Sequence, residues 1–485
     1  MSDLCIRTTN DGDAVLGSAE VERFASGFRG QLLTAESPGY DQARSIWNAM
    51  IDRRPALIAR CSGTADVLRA VGLAREHALL VAVRGAGHNI AGNAVCDGGL
   101  MIDLSPMRSV WVDPKARTAR VGPGATLGDF DHEAQAFGLA TPLGINSTTG
   151  VAGLTLGGGF GWLTRKHGMS VDNLLSADVV LADGRCLRAS EEEDSDLFWG
   201  LRGGGGNFGV VTSFEFRLHP VGPEVLCGLI VYPFDDARRV FAGYRQFVAR
   251  APDELAVWAL LRKAPPLPFL PETVHGKEIM ALAVFWAGKP AEGAKVIEPL
   301  RTFGRPVGEH VGVQPYTQFQ SAFDPLLAPG ARNYWKSHDF SSLADGAIDA
   351  VLDFAGRLPS PQCEIFIGQL GGAMSRVDPA ATAYPHRGAN FVMNVHTRWE
   401  SARQDEECVR WARAFFQTAA PYATGGVYVN FLSHDEKDRV QAAYGDNYDR
   451  LAALKAKYDP DNLFRLNQNI QPGRDTAPIA AAAVR

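Results

Sequence analysis

The chain has 485 residues, 46% hydrophobic and 21% charged, with a net charge of 48 − 54 = −6. At roughly 100–200 residues per domain, this length predicts two to four domains that can bury their cores without disulfides or metals. The acidic balance argues against a broad nucleic-acid footprint, which needs clustered Lys and Arg, and no apolar run approaches the ~18 residues of a membrane span.

Seven cysteines stand at 5, 61, 96, 186, 227, 363 and 408. The number is odd and no CxxC occurs, so buried reduced thiols are expected rather than a disulfide framework or a zinc site. The first thirty residues hold no apolar stretch behind a basic start. A cytoplasmic protein without a signal peptide is therefore the expectation.

Residues 1–45 are polar and weakly patterned. A strand is predicted over 56–60, then a helix over 65–77 capped by Ser62 or Thr64. The apolar run 79–84 reads as a buried strand ending in the turn Gly85-Ala86-Gly87-His88. Further strands are predicted at 99–104, 110–113 and 118–121, and a helix at 127–136. A helix start at 150–156 leads into the glycine run 157–161. A strand at 175–181 precedes the hairpin signal Asp183-Gly184, and Ser190 with Glu193 predicts a capping box opening a helix to about 201. The stretch 209–218 alternates as a half-buried strand, with Val210, Phe214 and Phe216 on one face.

The character changes after His219-Pro220. Strands at 229–231, 280–285 and 391–398 alternate with helices at 236–249 and 343–355, predicting a sheet with helices on one side. Pro-rich loops fall at 265–271 and 325–330, and the Ala-rich end reads as a frayed tail.

Four motifs carry chemistry. Arg84-Gly85-Ala86-Gly87-His88-Asn89 follows a strand, and its two glycines leave amide N–H groups free for an anion, with Arg84 adding charge. A dinucleotide-binding turn wants Gly or Ala where this chain has Ile90. Thr148-Thr149-Gly150-Val151-Ala152-Gly153, then 157–161, and the run 203–209 around Asn207, would let a flat ring lie against bare main chain. Tyr428-Val429-Asn430 and Asn467-Gln468-Asn469 bring amides that suit a heterocycle edge. Singly, each has a plain reading: a structural histidine, a packed turn, a flexible loop, a loop-forming amide.

Their order along the chain, from Arg-Gly-Ala-Gly-His through Gly-Gly-Gly-Gly-Asn-Phe-Gly to Tyr-Asp-Pro-Asp-Asn-Leu-Phe-Arg-Leu-Asn-Gln-Asn-Ile, resembles the FAD-linked oxidases of the vanillyl-alcohol oxidase superfamily. More narrowly it resembles the berberine-bridge-enzyme-like group, over roughly 50 to 472. The resemblance implies an α+β fold: a two-lobed PCMH-type FAD-binding domain at 1–220, with its core at about 50–220. A substrate domain with an antiparallel sheet would span 221–424. A C-terminal segment, 425–475, would return to complete the FAD site, leaving a flexible tail at 476–485. It also implies covalent FAD on His88, with Arg84, Gly85, Ala86 and Gly87 holding the pyrophosphate beside Asn89. Thr148, Thr149, Gly150, Gly153, Gly158, Gly159, Asn207, Gly209 and Val210 would line the cofactor. Tyr428, Asn430, Asn467 and Asn469 would close over the ring.

The slot where many members carry a second, cysteinyl link is Asn146, which cannot form a thioether, so a single link is implied. Leu154 replaces the histidine of plant-type members. The family's glutamate base aligns with Asn394 or His396. Imidazole can take a proton where asparagine cannot, so His396 is the candidate base, with Tyr428 second. The implied activity is hydride transfer from an alcohol, lactol, amine or related carbon of a small molecule, with O2 as acceptor giving H2O2. Two other readings keep the fold: a dehydrogenase or oxidative cyclase that reacts poorly with O2, and a drug-binding resistance protein. No metal is implied, and the chain is expected as a monomer or homodimer. Trp258, Phe285, Tyr334 and Trp399 are candidate pocket aromatics.

Overall fold

The computed structural model describes residues 3–473, so the expected flexible tail at 476–485 lies outside the described residues. Three main sheets organise the chain.

The first has four strands in the order Gln31–Leu33, Leu57–Arg60, Leu100–Asp103, Val81–Arg84. The last three run parallel. Helix Thr64–Glu76 makes the crossover between two of them and buries Val67, Ala70, Val71 and Ala74 against the sheet. Its N-cap is Gly63, without a side-chain cap, rather than Ser62 or Thr64. Asp66 organises the turn instead, accepting from Ser62, Arg29 and Gly30.

The second sheet has five antiparallel strands, in the order Cys186–Ser190, Leu174–Val180, Val210–Arg217, Thr118–Val121, Val110–Asp113. The predicted capping box at Ser190 is a strand end. The Ser190 hydroxyl accepts from the N–H groups of Glu192 and Glu193 within a turn, and the helix opens later, at Ser195–Leu201. Residues before 45 are also more ordered than their weak pattern predicts. A hairpin pairs Leu4–Arg7 with Asp13–Leu16, and helix Ser18–Ser26 buries Val21 and Phe24.

The third sheet has seven antiparallel strands, in the order Gly308–Pro315, Glu224–Pro233, Glu278–Trp286, Leu255–Lys263, Glu364–Gln369, Phe391–Trp399, Arg332–Phe340. Helices Ala237–Val248, Asp345–Ala355 and Asp405–Ala419 cover one face. The other face packs on the glycine-rich part of the chain through Phe160, Trp162 and Tyr428. Both faces are therefore buried. This is why Leu255–Lys263 reads as a continuous apolar run: Leu255, Val257, Ala259 and Leu261 meet the helices, while Ala256, Trp258 and Leu260 point the opposite way.

The C-terminal segment returns to the glycine-rich part. Asn207 Oδ1 accepts from the N–H of Ile470, and its amide donates to the carbonyl of Gln468. Lys455, fully buried with Asp459, donates to the carbonyls of Asn207 and Phe464. No helix among the described residues is long and apolar enough to cross a membrane.

Candidate functional site

A long cleft lies between the glycine-rich part and the bare face of the seven-stranded sheet. Its floor is main chain. Strand Val81–Arg84 ends in a turn with Gly87 at φ +78°, where a side chain would be strained. This turn lies so close to the start of helix Val151–Leu156 and to the turn at Pro123 that a Cβ on Gly150 would sit 2.8 Å from that of Ala86, and one on Gly85 would sit 2.9 Å from the carbonyl oxygen of Pro123. Gly153 and Gly206 also line the cleft, and a Cβ on either would meet open space. The cleft thus presents bare backbone over a long stretch, the surface a flat ring and a diphosphate need.

His88 stands at the mouth of the turn. Its ring stacks on Trp47, with centroids 5.2 Å apart, and its Nε2 lies 2.9 Å from Thr148 Oγ1. The Thr148 hydroxyl donates to Asn146 Oδ1 at 2.6 Å, so it accepts the Nε2 proton of His88 and Nδ1 is left with a free lone pair. Burial pushes the His88 pKa down to about 4, which keeps the ring neutral near pH 7.

Of the residues expected at the cofactor, Gly85, Ala86, Gly87, His88, Asn89, Thr149, Gly150, Gly153, Gly209, Val210, Tyr428, Asn430 and Asn467 line the cleft. Thr148 is bonded to His88 Nε2 instead of lining the cleft. The others are placed differently. The Arg84 guanidinium turns under the loop, donating to Asp103 at 3.1 and 3.0 Å and to the carbonyls of Ala43 and Ser45, so its charge is already neutralised away from the cleft. Gly158 and Gly159 pack beneath Tyr428, and the Gly159 N–H donates to its hydroxyl at 3.0 Å. Asn207 is wholly buried as the clip for the C-terminal segment. Asn469 does not reach the cleft either, whereas Asn467 does, with a buried Oδ1 that has no protein partner.

The Tyr428 hydroxyl accepts from Gly159 and from Asn430 Nδ2 at 2.9 Å. Burial nevertheless carries its pKa up to about 12 against those two donors. Asn430 is anchored in turn by the carbonyls of Gly153 and Leu154.

The opposite wall is the sheet. Trp258, Leu260 and Arg262 come from one strand, Glu364 and Phe366 from the next, Asn394 and His396 from the third, and Trp335 from the fourth. Asn394, His396 and Arg398 share a face, as period two dictates, but only the first two line the cleft. The Arg398 guanidinium sits 5.4 Å from the centre of the Trp47 ring. Between them runs a buried chain of polar groups: Arg262 donates to Glu364 Oε2 at 2.8 Å, and Glu364 Oε1 lies 3.0 Å from His396 Nδ1. His396 Nε2 has no protein partner. Burial would raise the Glu364 pKa, but Arg262 and His396 outweigh it and bring it down to about 2. For His396 the balance is reversed: burial lowers its pKa despite the pull of Glu364. The pair at rest is therefore a carboxylate and a neutral imidazole with its proton on Nδ1.

Sequence reasoning missed Glu364 and Arg262. Their signal was present: a lone carboxylate in the apolar run Cys363-Glu364-Ile365-Phe366, and an arginine closing the apolar strand 255–261. Trp47, Phe160, Trp162 and Phe431 also line the cleft. Of the four aromatics expected there, only Trp258 does. Phe285 lies one layer behind Trp162, and Tyr334 and Trp399 face the helices, bonded to Asp435 and Asp405.

Residues 55–190 match the family model described as an FAD binding domain, and 427–471 match the model described as berberine and berberine like. The FAD-linked oxidoreductase YgaK of Bacillus subtilis is 31% identical over 92% of this chain and 97% of its own length. The (R)-6-hydroxynicotine oxidase of Paenarthrobacter nicotinovorans is also 31% identical, covering 92% and 97%. Among solved structures, 6-hydroxy-D-nicotine oxidase from Arthrobacter nicotinovorans superposes with a TM-score of 0.81 at 29% identity, over 92% of this chain and 98% of that one. BBE-like 1 of Physcomitrella patens, at 23% identity and a TM-score of 0.84 over 94% and 99%, shares the fold.

Proposed function

Since the chain belongs to the berberine-bridge-like FAD-linked oxidoreductases, we propose that it carries its FAD on a single covalent bond from His88 and oxidises a small organic alcohol, lactol or amine, with O2 as the final acceptor and H2O2 as the by-product. The observation that carries this reading is a pair of imidazoles on opposite walls of one cleft, His88 on the main-chain floor and His396 on the sheet, and burial lowers the pKa of both. The bound flavin supplies the two-electron acceptor for a hydride.

The protein's own groups do the rest. The Thr148 hydroxyl, itself donating to Asn146 Oδ1, accepts a hydrogen bond from Nε2–H of His88, which keeps the proton there and leaves the Nδ1 lone pair as the nucleophile the covalent bond requires. Asn146 has no thiol, so no second bond forms. The backbone of 85–87 and 149–153, with Gly206 and Gly209, supports the cofactor, and Asn467 Oδ1 offers it an acceptor. Across the cleft, His396 Nε2 takes the O–H or N–H proton as the substrate's C–H bond breaks. Glu364 holds His396 in the tautomer that leaves Nε2 free, and the Arg262–Glu364 pair stabilises the imidazolium that results. Trp258, Phe366 and Phe431 keep water from the reacting carbon.

The test has two arms. Protein precipitated in acid keeps its yellow colour in the pellet, and His88→Ala loses it. A colourless wild-type pellet overturns the covalent link. In stopped flow, His396→Ala slows flavin reduction by substrate about 10²-fold or more, and an unchanged rate removes His396 as the base.

A further inference from the structure

We propose that a file of bound water between the last two strands of the seven-stranded sheet connects His396 with Asp339, and that Asp339 exchanges the proton of the base with the surface while the cleft is filled. This rests on the oxidase reading above and adds a proton path to it.

Strand register lays the path out. His396 stands opposite Trp335, Asn394 opposite Ser337, and Val392 opposite Asp339. Partners in such a pair project from the same side of the sheet, and so do residues two apart. His396 and Asn394 line the cleft, so Ser337 and Asp339 share their face and continue it past the cleft wall. Trp258 and Phe366 stand on strands at the other side of His396, so the row runs away from them.

Asn394, Ser337 and Asp339 are each at most 1% exposed. Both polar atoms of the Asn394 amide, Ser337 Oγ and both carboxylate oxygens of Asp339 lack a protein partner, as do His396 Nε2 and Trp335 Nε1. Buried polar groups are nearly always bonded, to protein or to ordered water. A single orphan is a local defect. A row of them on one face is a binding site for water, because each water held there finds several polar partners. Arg439 pulls on the Asp339 charge, yet it is committed to Glu436 at 2.6 Å and to the Ser337 carbonyl, so it forms no ion pair with the carboxylate. The Tyr384 hydroxyl is the other titratable group that faces Asp339, and Glu364, Arg262 and Arg398 act on His396.

The length fits. Four residues at about 3.4 Å each separate the two ends by about 14 Å. The Ser337–Asn394 pair divides this into two legs, each crossed by one or two waters at about 2.8 Å per bond. The Ser337 hydroxyl accepts one proton as it donates another, so it passes charge along, while the Asn394 amide orients the water beside it. At the far end the Asp339 carbonyl accepts from the N–H and the hydroxyl of Thr424, which is exposed, so the row ends one residue from solvent.

The path serves the base when the mouth is blocked. Glu364 holds His396 Nδ1, and Nε2 meets the substrate. With flavin and product in the cleft, the proton on Nε2 leaves along the row. Imidazolium and carboxylate become imidazole and carboxylic acid, nothing is oxidised or reduced, and the reverse transfer brings a proton in.

Two experiments on the flavin-loaded enzyme test this without the substrate. A high-resolution crystal structure is expected to show ordered water bonded in sequence to Asn394, Ser337 and Asp339, and Ser337→Ala to lose the water at the midpoint. A dry row, or no water on Asp339, overturns the proposal. In the second, the flavin is reduced anaerobically by light with EDTA and then mixed with O2. O2 takes two electrons and the N5 proton from the reduced flavin anion and needs one more proton to leave as H2O2. Burial lowers the His396 pKa, so at neutral pH its ring holds no proton to give and the row delivers one. Wild-type reoxidation is expected to slow as pH rises through about 7, where Asp339 loses its proton. Asp339→Asn, which keeps the size of the side chain, is expected to lose that inflection and to react on the order of tenfold more slowly below it. The same inflection in Asp339→Asn overturns the proposal. A wild type that holds its flavin but does not react with O2 overturns the oxidase reading instead, and the crystallographic water then decides the path.

Discussion

Glu364 and His396 are direct register partners on neighbouring antiparallel strands, and this places the carboxylate Oε1 3.0 Å from imidazole Nδ1 on the cleft face. Side chains opposite each other in such a pair stand on the same side of the sheet. The contact is thus set by strand pairing rather than by a mobile loop.

It follows that Glu364→Gln removes both the tautomer control and the charge that favours imidazolium, at a cost in stability because the buried Arg262 loses its counter-ion and keeps only the amide oxygen as acceptor. Flavin reduction is expected to fall about 10²-fold. The pH profile gives a second readout. The base works when neutral, so the wild-type rate is flat at high pH and falls as His396 is protonated, below the ordinary histidine range because burial lowers its pKa. In Glu364→Gln the opposing pull of the carboxylate is gone, and the inflection moves to still lower pH. An unmoved inflection rules out the coupling.

Arg84→Ala is expected to act on stability. The guanidinium is bound to Asp103, which is fully buried, and removing it leaves that carboxylate with only the half-exposed Arg60 as counter-ion. Breaking a buried pair outright costs about 3–5 kcal/mol, and because Arg60 remains the loss is expected to fall below that. Thermal denaturation of flavin-free and flavin-loaded protein should show the same loss. A loss confined to the flavin-loaded form would mean that the arginine serves the phosphates after all.

Asn207→Ala removes the clip between the last glycine run and the C-terminal segment, stranding the N–H of Ile470 and leaving the carbonyl of Gln468 with the Tyr444 hydroxyl as its donor. A buried donor left without an acceptor costs about 1–3 kcal/mol. Limited proteolysis is expected to cut first near 466–472, and hydrogen exchange there to rise ahead of the rest of the chain. Unchanged exchange at those residues would show that the bonds of Lys455, Tyr444, Asn467 and Gln468 hold the segment without Asn207.

Asp339 is fully enclosed, and neither of its carboxylate oxygens has a partner. Burial lifts its pKa to about 7, against the pull of Arg439. A carboxyl whose folded pKa is raised binds its proton more tightly in the folded state, so its stabilising effect is full below the unfolded value near 4 and is lost as pH rises through about 7. Asp339→Asn should therefore match wild type in acid and exceed it increasingly up to neutral pH, by at most about 4 kcal/mol. Melting curves at pH 4, 6 and 8 check this; a constant offset across them would rule out the titration.

The cofactor side was the more legible part of the site, because glycines and a histidine at a strand end act through local backbone geometry that leaves its mark in short motifs. Gly85, Gly87, His88 and Gly150 all reach the cleft. Arg84 shows the limit of that reasoning: a motif position fixes a main chain, while the direction of a long side chain depends on a partner 19 residues away, Asp103. The wall opposite was harder. His396 came from the family resemblance, yet Glu364 lies 32 residues from it and Arg262 lies 102 residues from Glu364, joined through strand pairings that no local pattern records. The early strands and helix were missed for a related reason: the strand Gln31–Leu33 earns its place by pairing with Leu57–Arg60 rather than by its own alternation.

The sheet wall alternates cleft-facing Trp258 and Leu260 with helix-facing Val257, Ala259 and Leu261, and strands Glu364–Gln369 and Phe391–Trp399 follow the same rule. Substitutions at the cleft-facing positions therefore leave the packing against the helices untouched. A lineage built on this frame can change what it oxidises by a few substitutions among the cleft-facing letters other than Arg262, Glu364 and His396, while the alternate letters, turned to the helices, keep the words in place.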